Sequence, residues 1–368
     1  MIPVKIAVGM SGGVDSSLVA ALLVEGGHDV LGVTMCIGGD PSRDDNARRA
    51  QNVCRHLGIP HRVVDLRREF GRKVLGPFAA EYASGRTPNP CVLCNALIKF
   101  GSLFDALAEE DVGALATGHY VRKVTHPDSG WHYLRRASDE SKDQSYVLHR
   151  LDQKRLGRAL FPLGDWTKEE TRAAARRMDL PASDAEESQE ICFVPGDYRD
   201  FLEDLGVCGK PGPVVDVRGC VLGEHRGLHA YTVGQRRGLG IAADEPLYVL
   251  RLVPGDNSIV VGPRPRLLST GARVEDVNWM VPEGELADEF AAEVAIRYNA
   301  DPVTASIRRK GPSSMEVQFS EPRAAVTPGQ SAVMYRGDLL IGGGFIRASI
   351  PEYGEGAGDA PEAREGSG

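Results

Sequence analysis

Residues 4 to 20 read VKIAVGMSGGVDSSLVA, and this stretch decides the fold. Val4 to Val8 is a short apolar run rich in β-branched side chains, which predicts a buried strand. Three glycines then interrupt the pattern, and Ser16 to Val24 predicts a helix. A strand, a Gly/Ser turn and a helix bring backbone N–H groups and a helix N-terminus to one point. The stretch therefore predicts an anion-binding site.

The composition of this turn narrows the choice of anion. Serine hydroxyls add donors, and glycine lets a phosphate approach the backbone closely. Asp15 is unexpected at a purely anionic site, but a carboxylate is useful there if it helps to hold Mg²⁺ against the phosphates. The stretch matches neither GxxxxGK[ST] nor GxGxxG.

The string SGGVDSS instead resembles the PP-loop of N-type ATP pyrophosphatases. These enzymes cleave ATP to AMP and pyrophosphate while they adenylate a substrate oxygen. Met35 ends the second predicted strand at the ligand edge of the sheet, where it can contact adenine. The resemblance implies an ATP-binding set made of Gly9, Met10, Ser11, Gly12, Gly13, Val14, Asp15, Ser16, Met35 and Gly118.

Composition limits the class of protein. The chain has 368 residues, of which 42% are hydrophobic and 26% charged, as in a soluble globular protein of two or three domains. We find no run of roughly 18 apolar residues and no signal-peptide layout, so we predict no membrane partner. Seven cysteines fit a reducing, cytoplasmic location. The net charge of −8 argues against bulk nonspecific nucleic-acid binding but leaves room for a local basic groove.

The order of the predicted elements indicates an α/β class with a doubly wound parallel sheet. Strands at 29–35 and 61–65 flank a helix at 45–57, and a further strand ends at 115–120. Near Gly206 the pattern changes to short strands between Gly and Pro turns, which predicts a small β-rich domain and then a β-barrel. We predict four regions: a PP-loop catalytic domain at 1–205, a β-rich domain at 206–271, a barrel at 272–351 and a disordered tail at 352–368.

Three cysteines stand apart from the rest. Cys91 and Cys94 lie in RTPNPCVLCNALIKF, where TPNP predicts a rigid loop that leads into a helix near Asn95. A thiol near a helix N-terminus should have a lowered pKa, and Lys99 would add to this effect. A CxxC pair alone is compatible with zinc, an iron–sulfur cluster, redox chemistry or none of these.

The third cysteine, Cys192, has a different setting. It lies in SQEICFVPGDY, after an acidic stretch that would raise a thiol pKa. This setting favours receiving and passing on sulfur over acting as a free thiolate. The acidic residues are Asp184, Glu186, Glu187 and Glu190.

From the PP-loop to about Ile350 the chain resembles bacterial tRNA-specific 2-thiouridylases. The resemblance implies a tRNA-uridine 2-sulfurtransferase, which replaces the C2 oxygen of the wobble uridine with sulfur after ATP has adenylated that oxygen. It implies that Cys192 carries the sulfur as a persulfide, supplied by a sulfur-relay protein or a cysteine desulfurase. It also implies that Cys94 is the catalytic nucleophile, which can form a disulfide with Cys192. The matching strings are GMSGGVDSS, TPNPCVLCNALIKF, ATGHY, KDQSYVL, SQEICFVPGDY, GEHRGLHAYTVGQRRGLGI and AVTPGQSAVMY.

Cys91 departs from the commoner family pattern, in which many members have Asp at this place. Together, Cys91, Cys94 and Cys192 would offer three thiolates to a [4Fe–4S] cluster with one open iron, as in some related tRNA sulfurtransferases. Alternatively, Cys91 is a tolerated substitution in a cluster-free persulfide enzyme. The remaining cysteines have no partner pattern and are interpreted as core or surface thiols; they are Cys36, Cys54, Cys208 and Cys220.

The resemblance also implies a set of tRNA contacts. A target base must leave its stack to reach a catalytic pocket, where amides can read a uracil edge and a tyrosine can stack on a base. Lys142, Arg236 and Arg237 could hold phosphates. The implied contacts are Asn89, Pro90, Cys91, His119, Lys142, Asp143, Gln144, Arg297, Tyr298 and Gln330.

Two other functions compete with this interpretation. Another PP-loop synthetase would adenylate a carboxyl or ureido oxygen and would not need paired cysteines, so Cys94 and Cys192 argue against it. A non-catalytic RNA-binding protein would use the barrel alone, and the intact SGGVDSS argues against that alternative.

Overall fold

A computed structural model describes residues 5–39, 45–181, 191–194 and 196–352. Within these residues the N-terminal region contains a parallel sheet with strand order β3-β2-β1-β4-β7. Its strands are β1 (Lys5–Gly9), β2 (Val30–Cys36), β3 (His61–Asp65), β4 (Val112–Ala116) and β7 (Ala159–Leu160). The doubly wound α/β class that the sequence predicts is confirmed.

Helices cover both faces of this sheet. Successive residues of a strand point to opposite faces, so Ala7 packs into one core with Phe70 and Ile98, while Val8 packs into the other with Leu18. The helices are α1 (Val14–Glu25), α2 (Asp45–His56), α3 (Arg67–Phe70), α4 (Gly76–Ala83), α5 (Pro90–Leu93), α6 (Gln153–Arg158), α7 (Lys168–Arg177) and α8 (Tyr198–Asp204). A π-helical segment, Gly71–Leu75, joins α3 to α4, and a second, Cys94–Leu103, continues α5.

The central region has its own sheet. In the described part of the chain its strand order is β10-β11-β8-β9, and Val214, Val249 and Ile259 are among the residues that form its small core. The strands are β8 (Gly212–Val215), β9 (Val221–His225), β10 (Tyr248–Val253) and β11 (Ser258–Gly262). The β-rich central region that the sequence predicts is confirmed.

The C-terminal region is a closed antiparallel barrel, as predicted. The strand order is β12-β15-β14-β13-β16-β17, and β12 pairs with β17 to close it. The alternating burial of β14 shows one face of the strand in the barrel core. The strands are β12 (Leu268–Trp279), β13 (Glu289–Ala295), β14 (Val303–Gly311), β15 (Ser314–Ala324), β16 (Ser331–Arg336) and β17 (Leu339–Pro351).

The barrel packs directly on the catalytic region. The hairpin of β5 (Arg122–Thr125) and β6 (His132–Arg135) joins the barrel through the pairing of Leu339 with Arg135. Asp338 accepts hydrogen bonds from Arg122 at 2.7 Å and from Arg135 at 3.0 Å. Barrel residues also enter the core that contains Phe70 and Ile98; they include Val333, Tyr335 and Leu340.

Our domain limits, 1–205, 206–271, 272–351 and 352–368, remain predictions. Nearly all of the predicted disordered tail, residues 353–368, lies outside the described residues. None of the helices in the described ranges is long and apolar enough to cross a membrane.

Candidate active site

The predicted PP-loop forms a turn closed by its own serines. The Ser17 hydroxyl donates to the carbonyl oxygen of Gly13 at 2.8 Å, and the Ser16 hydroxyl donates to the same oxygen at 3.1 Å. The backbone N–H of Ser11 donates to Ser16 Oγ at 3.2 Å. Gly13 precedes α1, and among the described residues no side chain caps this helix start. The first amides of α1 are therefore disposed to bind an anion.

Two glycines of the site allow a close approach that a side chain would prevent. Gly12 has φ +77°, and a Cβ there would lie 2.8 Å from Arg49 Cβ of α2. A Cβ on Gly118, just after β4, would lie 2.8 Å from Asp15 Cβ and 3.1 Å from the backbone nitrogen of Ser16. The strand end predicted to bind ATP is thus packed against the first turn of α1.

Other predicted ATP-binding residues lie at the same edge. Met10 is buried, and its N–H donates to the carbonyl oxygen of Val33 at 2.7 Å. Val14 is buried at the start of α1. Met35, near the end of β2, is half-buried and packs against the same core as Cys91 and Cys94.

Asp15 has partners that the sequence analysis missed. Its Oδ1 and Oδ2 accept hydrogen bonds from Lys168 Nζ at 2.7 and 2.9 Å. The Tyr120 hydroxyl donates to Oδ1 at 2.8 Å and lies 3.0 Å from Thr171 Oγ1. Lys168 is the first residue of α7, where a cation opposes the helix dipole, and this unfavourable placement was a signal available in the sequence.

Cys91 lies on α5 and Cys94 at its end, so the prediction of a loop that reaches a helix only near Asn95 is wrong, because Pro90 can occupy the first position of a helix. Asn89 begins the helix, and its Oδ1 accepts a hydrogen bond from the N–H of Cys91 at 3.0 Å. The expected fall in thiol pKa is wrong. Burial raises the pKa of Cys94, which is 7% exposed, to about 11, and it also raises the pKa of Cys91. Lys99 lowers both pKa values, as expected, but desolvation outweighs it.

Cys192 is exposed and lies on a short segment fixed by its neighbour. The Phe193 ring packs against Phe70 at 5.1 Å and Phe78 at 5.8 Å. After burial and Lys99, the charge of Cys192 is a further influence on the pKa of both Cys91 and Cys94, and it raises them. The three thiols therefore share one electrostatic neighbourhood. The acidic residues that we expected to influence Cys192 (Asp184, Glu186, Glu187 and Glu190) lie outside the described residues.

Tyr298 of the barrel reaches this neighbourhood. Its ring centroid lies 6.0 Å from that of Tyr146. Burial raises the pKa of Tyr298, a hydrogen bond with the Gln144 side chain opposes the shift, and the charges of Asp143 and Cys91 add to it. Tyr298, Gln144 and Cys91, which are far apart in sequence, are thus brought together.

The side chains of His119 and Asp143 have hydrogen-bond partners within the protein. His119 is 7% exposed, its Nδ1 lies 2.7 Å from Thr117 Oγ1, and burial holds its pKa well below the usual value. Asp143 Oδ1 accepts from the N–H of Ala137 at 2.9 Å, and its Oδ2 accepts from the Ser145 hydroxyl at 2.6 Å. Both side chains therefore have their hydrogen-bonding groups engaged within the protein.

The remaining predicted contacts spread over all three regions. Pro90 is buried and Lys142 is half-buried, whereas Arg297 on the barrel and Arg236 and Arg237 of the central region are exposed. Gln330 Nε2 donates to the carbonyl oxygen of Thr87, in the loop before Cys91, at 2.7 Å. The sequence suggested no contact between these two residues.

Family models match almost the whole chain. A tRNA methyl transferase HUP domain matches residues 4–196, its PRC-barrel domain matches 199–263, and an aminomethyltransferase beta-barrel domain matches 269–346. A solved structure of the U34-tRNA thiolase NcsA from Methanococcus maripaludis, with its [4Fe-4S] cluster, is 20% identical with a TM-score of 0.33, and it covers 55% of this chain and 64% of that one.

Curated relatives are much more similar. The tRNA-specific 2-thiouridylase MnmA of Pelobacter propionicus is 46% identical over 95% of this chain and 99% of its own length. The enzyme of the same name from Carboxydothermus hydrogenoformans is 46% identical over 94% of this chain and 98% of its own length. With this identity over nearly the full length, and with a PP-loop and three neighbouring cysteines in the structure, the chain belongs to the tRNA-specific 2-thiouridylase family.

Proposed function

We propose that the protein catalyses ATP-dependent 2-thiolation of the wobble uridine of tRNA. The observation that carries this proposal is the electrostatic neighbourhood shared by Cys91, Cys94 and Cys192, in a chain that also holds an uncapped PP-loop helix. An adenylating loop and two separate thiols are what oxygen-to-sulfur exchange requires. A synthetase that only adenylates its substrate has no use for the thiols.

The first step is adenylation. The uridine O2 attacks the α-phosphorus of ATP, the O2–P bond forms, and the bond between the α-phosphorus and the bridging oxygen breaks, so that pyrophosphate leaves with the electron pair. The amides at the start of α1 stabilise the phosphate charge. The proposed ATP contacts are those of the sequence analysis, from Gly9 to Ser16 with Met35 and Gly118.

The second step is sulfur transfer. The terminal sulfur of a persulfide on Cys192 attacks C2, and AMP leaves with the electrons of the C2–O bond. Cys94, as thiolate, then attacks Cys192 Sγ, so the S–S bond breaks and the sulfur stays on the uridine. The product is a Cys94–Cys192 disulfide, which a cellular thiol reductant must reduce before the next turnover.

The predicted Mg²⁺ ligand does not fit a metal in this arrangement. Both carboxylate oxygens of Asp15 already accept hydrogen bonds from the Lys168 ammonium, and Tyr120 donates to one of them. A cation bound at Asp15 would have to displace another cation.

A cluster on Cys91, Cys94 and Cys192 does not fit either. Within the described residues no group of three or more His, Cys, Asp or Glu side chains is arranged to hold a metal ion. The persulfide route is the one these side chains support.

The proposed contacts with a sulfur donor and with tRNA rest on which side chains are exposed and on where they lie. Cys192 is exposed, so a sulfur-relay protein or a cysteine desulfurase could reach it. Tyr298, Gln144 and Asn89 lie around Cys91, and we propose that they receive the target uridine there. Exposed Arg297, Arg236 and Arg237 would contact tRNA phosphates, with Lys142 beside the base.

The direct test is thiolation of unmodified tRNA. Purified protein, ATP, tRNA and a persulfide donor should yield 2-thiouridine at the wobble position, detected by mass spectrometry of the anticodon loop, with one AMP released per sulfur inserted. AMP release that requires a different substrate and no tRNA would overturn the proposal.

A further inference from the structure

The proposed adenylation step releases a proton. Uridine carries a hydrogen on N3, and the neutral ring that results from bonding O2 to the α-phosphorus has lost it. A group within hydrogen-bond reach of N3 must therefore accept a proton. We propose that Asp143 is this general base, and that it returns the proton to N3 during sulfur transfer. The inference rests on the proposed function and names a catalytic residue for it.

Asp143 lies beside the residues that we propose to receive the uracil ring. It precedes Gln144, whose side chain hydrogen-bonds Tyr298 and whose Oε1 accepts from the N–H of Tyr120 at 3.2 Å. The charges of Asp143 and Cys91 both act on Tyr298. The Asp143 side chain is half-buried, so a ring placed against Tyr298 has access to the carboxylate.

One oxygen of this carboxylate has room for a further hydrogen bond. Oδ1 accepts from the N–H of Ala137 at 2.9 Å and from that of Ser145 at 3.3 Å, which occupies both of its lone pairs. Within the described residues Oδ2 accepts from the Ser145 hydroxyl alone, at 2.6 Å. The second lone pair of Oδ2 is therefore available to the N3–H of uridine.

A buried hydrogen-bond chain fixes the orientation of Oδ2. Ser145 Oγ lies 3.0 Å from the hydroxyl of Tyr335, on strand β16 of the barrel, and both residues are buried. Since Ser145 has one hydroxyl hydrogen and donates it to Asp143, Tyr335 is the donor to Ser145. The acceptor is thus held in place before uridine binds, which favours proton transfer.

The surroundings of Asp143 set its strength as a base. Burial raises the pKa of the carboxyl, while hydrogen bonds from Ser145 and Ala137 and the charge of Arg136 oppose the shift. Arg136 is stacked on Tyr335, with Cζ 4.0 Å from the ring centroid. A carboxylate with a raised pKa is a stronger base than an ordinary aspartate. The titratable groups around Asp143 are Arg136, Tyr298 and Tyr335 on neighbouring elements and Lys142 before it in the chain.

The proton and the electron pairs balance over the two steps. As O2 bonds to the α-phosphorus, the N3–H proton moves to Asp143 Oδ2, and the electron pair of that bond becomes a second bond between N3 and C2. When the persulfide sulfur attacks C2, this pair returns to N3, which takes the proton back from Asp143. General base catalysis of this kind contributes about 10²- to 10⁴-fold.

Asp143→Asn removes the base while keeping the hydrogen bonds. The amide oxygen accepts from the same two N–H groups, and the amide nitrogen donates to Ser145, whose hydroxyl then donates to Tyr335. We expect tRNA-dependent AMP formation to fall about 10²-fold or more, with a KM for tRNA within about threefold of the native value and little change in unfolding temperature. Glu140→Gln is the matched control, since Glu140 is exposed in the same segment and its loss changes the net charge equally.

A tRNA with 5-fluorouridine at the wobble position provides a second test. Fluorine makes N3–H more acidic, so the defect of Asp143→Asn should shrink about tenfold or more with this substrate. In the native protein AMP formation should fall as pH drops through the pKa of Asp143. Arg136→Gln should move this fall to higher pH, because the guanidinium lowers that pKa.

Three results would overturn the assignment of Asp143. They are normal AMP formation by folded Asp143→Asn protein, a defect confined to the KM for tRNA, and a defect that 5-fluorouridine leaves unchanged. Native protein that forms no AMP with tRNA would instead contradict the proposed function on which the inference rests.

Discussion

The side-chain amide of Gln330 donates a hydrogen bond of 2.7 Å to the carbonyl oxygen of Thr87. Gln330 lies on the barrel, and Thr87 lies in the rigid TPNP loop that leads to Cys91 and Cys94. The N–H of Thr87 also donates to Pro328 of the barrel at 2.9 Å, and its hydroxyl lies 3.3 Å from that of Thr232 in the central region. All three regions therefore meet at the loop that positions the thiols.

This contact gives the barrel a structural role in addition to the tRNA binding that we propose for it. A barrel that served tRNA binding alone would not need to fix a catalytic loop. Here the loop is fixed by barrel atoms on both sides of Thr87, and a Cβ on Gly329 would lie 2.8 Å from the Thr87 nitrogen. The barrel therefore holds the loop that leads to Cys91 and Cys94 through short, direct contacts.

The first prediction follows from this contact. Gln330→Ala should lower the kcat of thiolation about fivefold, since one hydrogen bond is worth about 1 kcal/mol, while the KM for tRNA changes by less than about twofold. Steady-state thiolation kinetics measure both. Gln318→Ala, at an exposed position of β15, is the matched control. A raised KM with an unchanged kcat would instead mean that Gln330 contacts tRNA directly, as the sequence suggests.

The fold could be predicted from local patterns. VKIAVGMSGGVDSS contains a strand, a turn and a helix start in one string, and the shift to short strands after Gly206 marks the β-rich half. Strand period, glycine placement and turn chemistry are local properties, so they are visible without coordinates. They also identified the loop and the three cysteines that the structure brings together.

The rest depended on contacts between distant residues. Nothing near Asp15 points to Lys168, more than a hundred residues away, although a lysine at a helix start was a clue. The pKa of Cys94 could not be predicted from its place at a helix, because it is decided by the number of core residues that cover the thiol. The Gln330–Thr87 contact likewise exists only once the barrel has docked.

A second prediction concerns Cys192. Cys192→Ser should abolish sulfur transfer but leave tRNA-dependent AMP formation within about threefold of the native protein, because a persulfide acts only after activation. The measurement is labelled sulfur from a cysteine desulfurase, followed into protein and into tRNA. Cys208→Ser and Cys220→Ser are matched controls, because both cysteines are exposed. Equal trapping of labelled sulfur on the Cys192→Ser protein would rule out its role as carrier.

A third prediction concerns the pH dependence of Cys94. Its pKa is raised by burial to about 11, so the reactive thiolate is scarce at neutral pH and increases as pH rises. Alkylation of Cys94 by iodoacetamide, measured by mass spectrometry, should therefore speed up about tenfold per pH unit between pH 8 and 10.

Lys99 provides a check on this prediction. Its charge lowers the pKa of Cys94, so Lys99→Gln should raise that pKa further and slow alkylation throughout the same pH range. Lys154→Gln, at an exposed position of α6, should leave the rate unchanged. An alkylation rate that is already constant above pH 8 would show that helix and lysine charges outweigh burial.

The last prediction concerns Cys91 and iron. The described residues do not arrange Cys91, Cys94 and Cys192 as metal ligands. Cys91→Ala should therefore thiolate tRNA within about threefold of the native rate, because only Cys94 and Cys192 take part in the sulfur transfer. Colourless, iron-free protein should be fully active with a persulfide donor. Cys91→Asp should also keep activity, since Cys91 takes no part in the proposed sulfur transfer.

The competing outcome is equally specific, and anaerobic purification followed by iron analysis distinguishes the two. A cluster enzyme would be brown and carry about four irons per chain, and Cys91→Ala would lower its iron content and its thiolation together. Cys208→Ala serves as the control, because an exposed cysteine outside the site should affect neither quantity. Parallel loss of iron and activity in Cys91→Ala alone would replace the persulfide route with cluster chemistry, and would require the three thiols to move into a common ligand geometry.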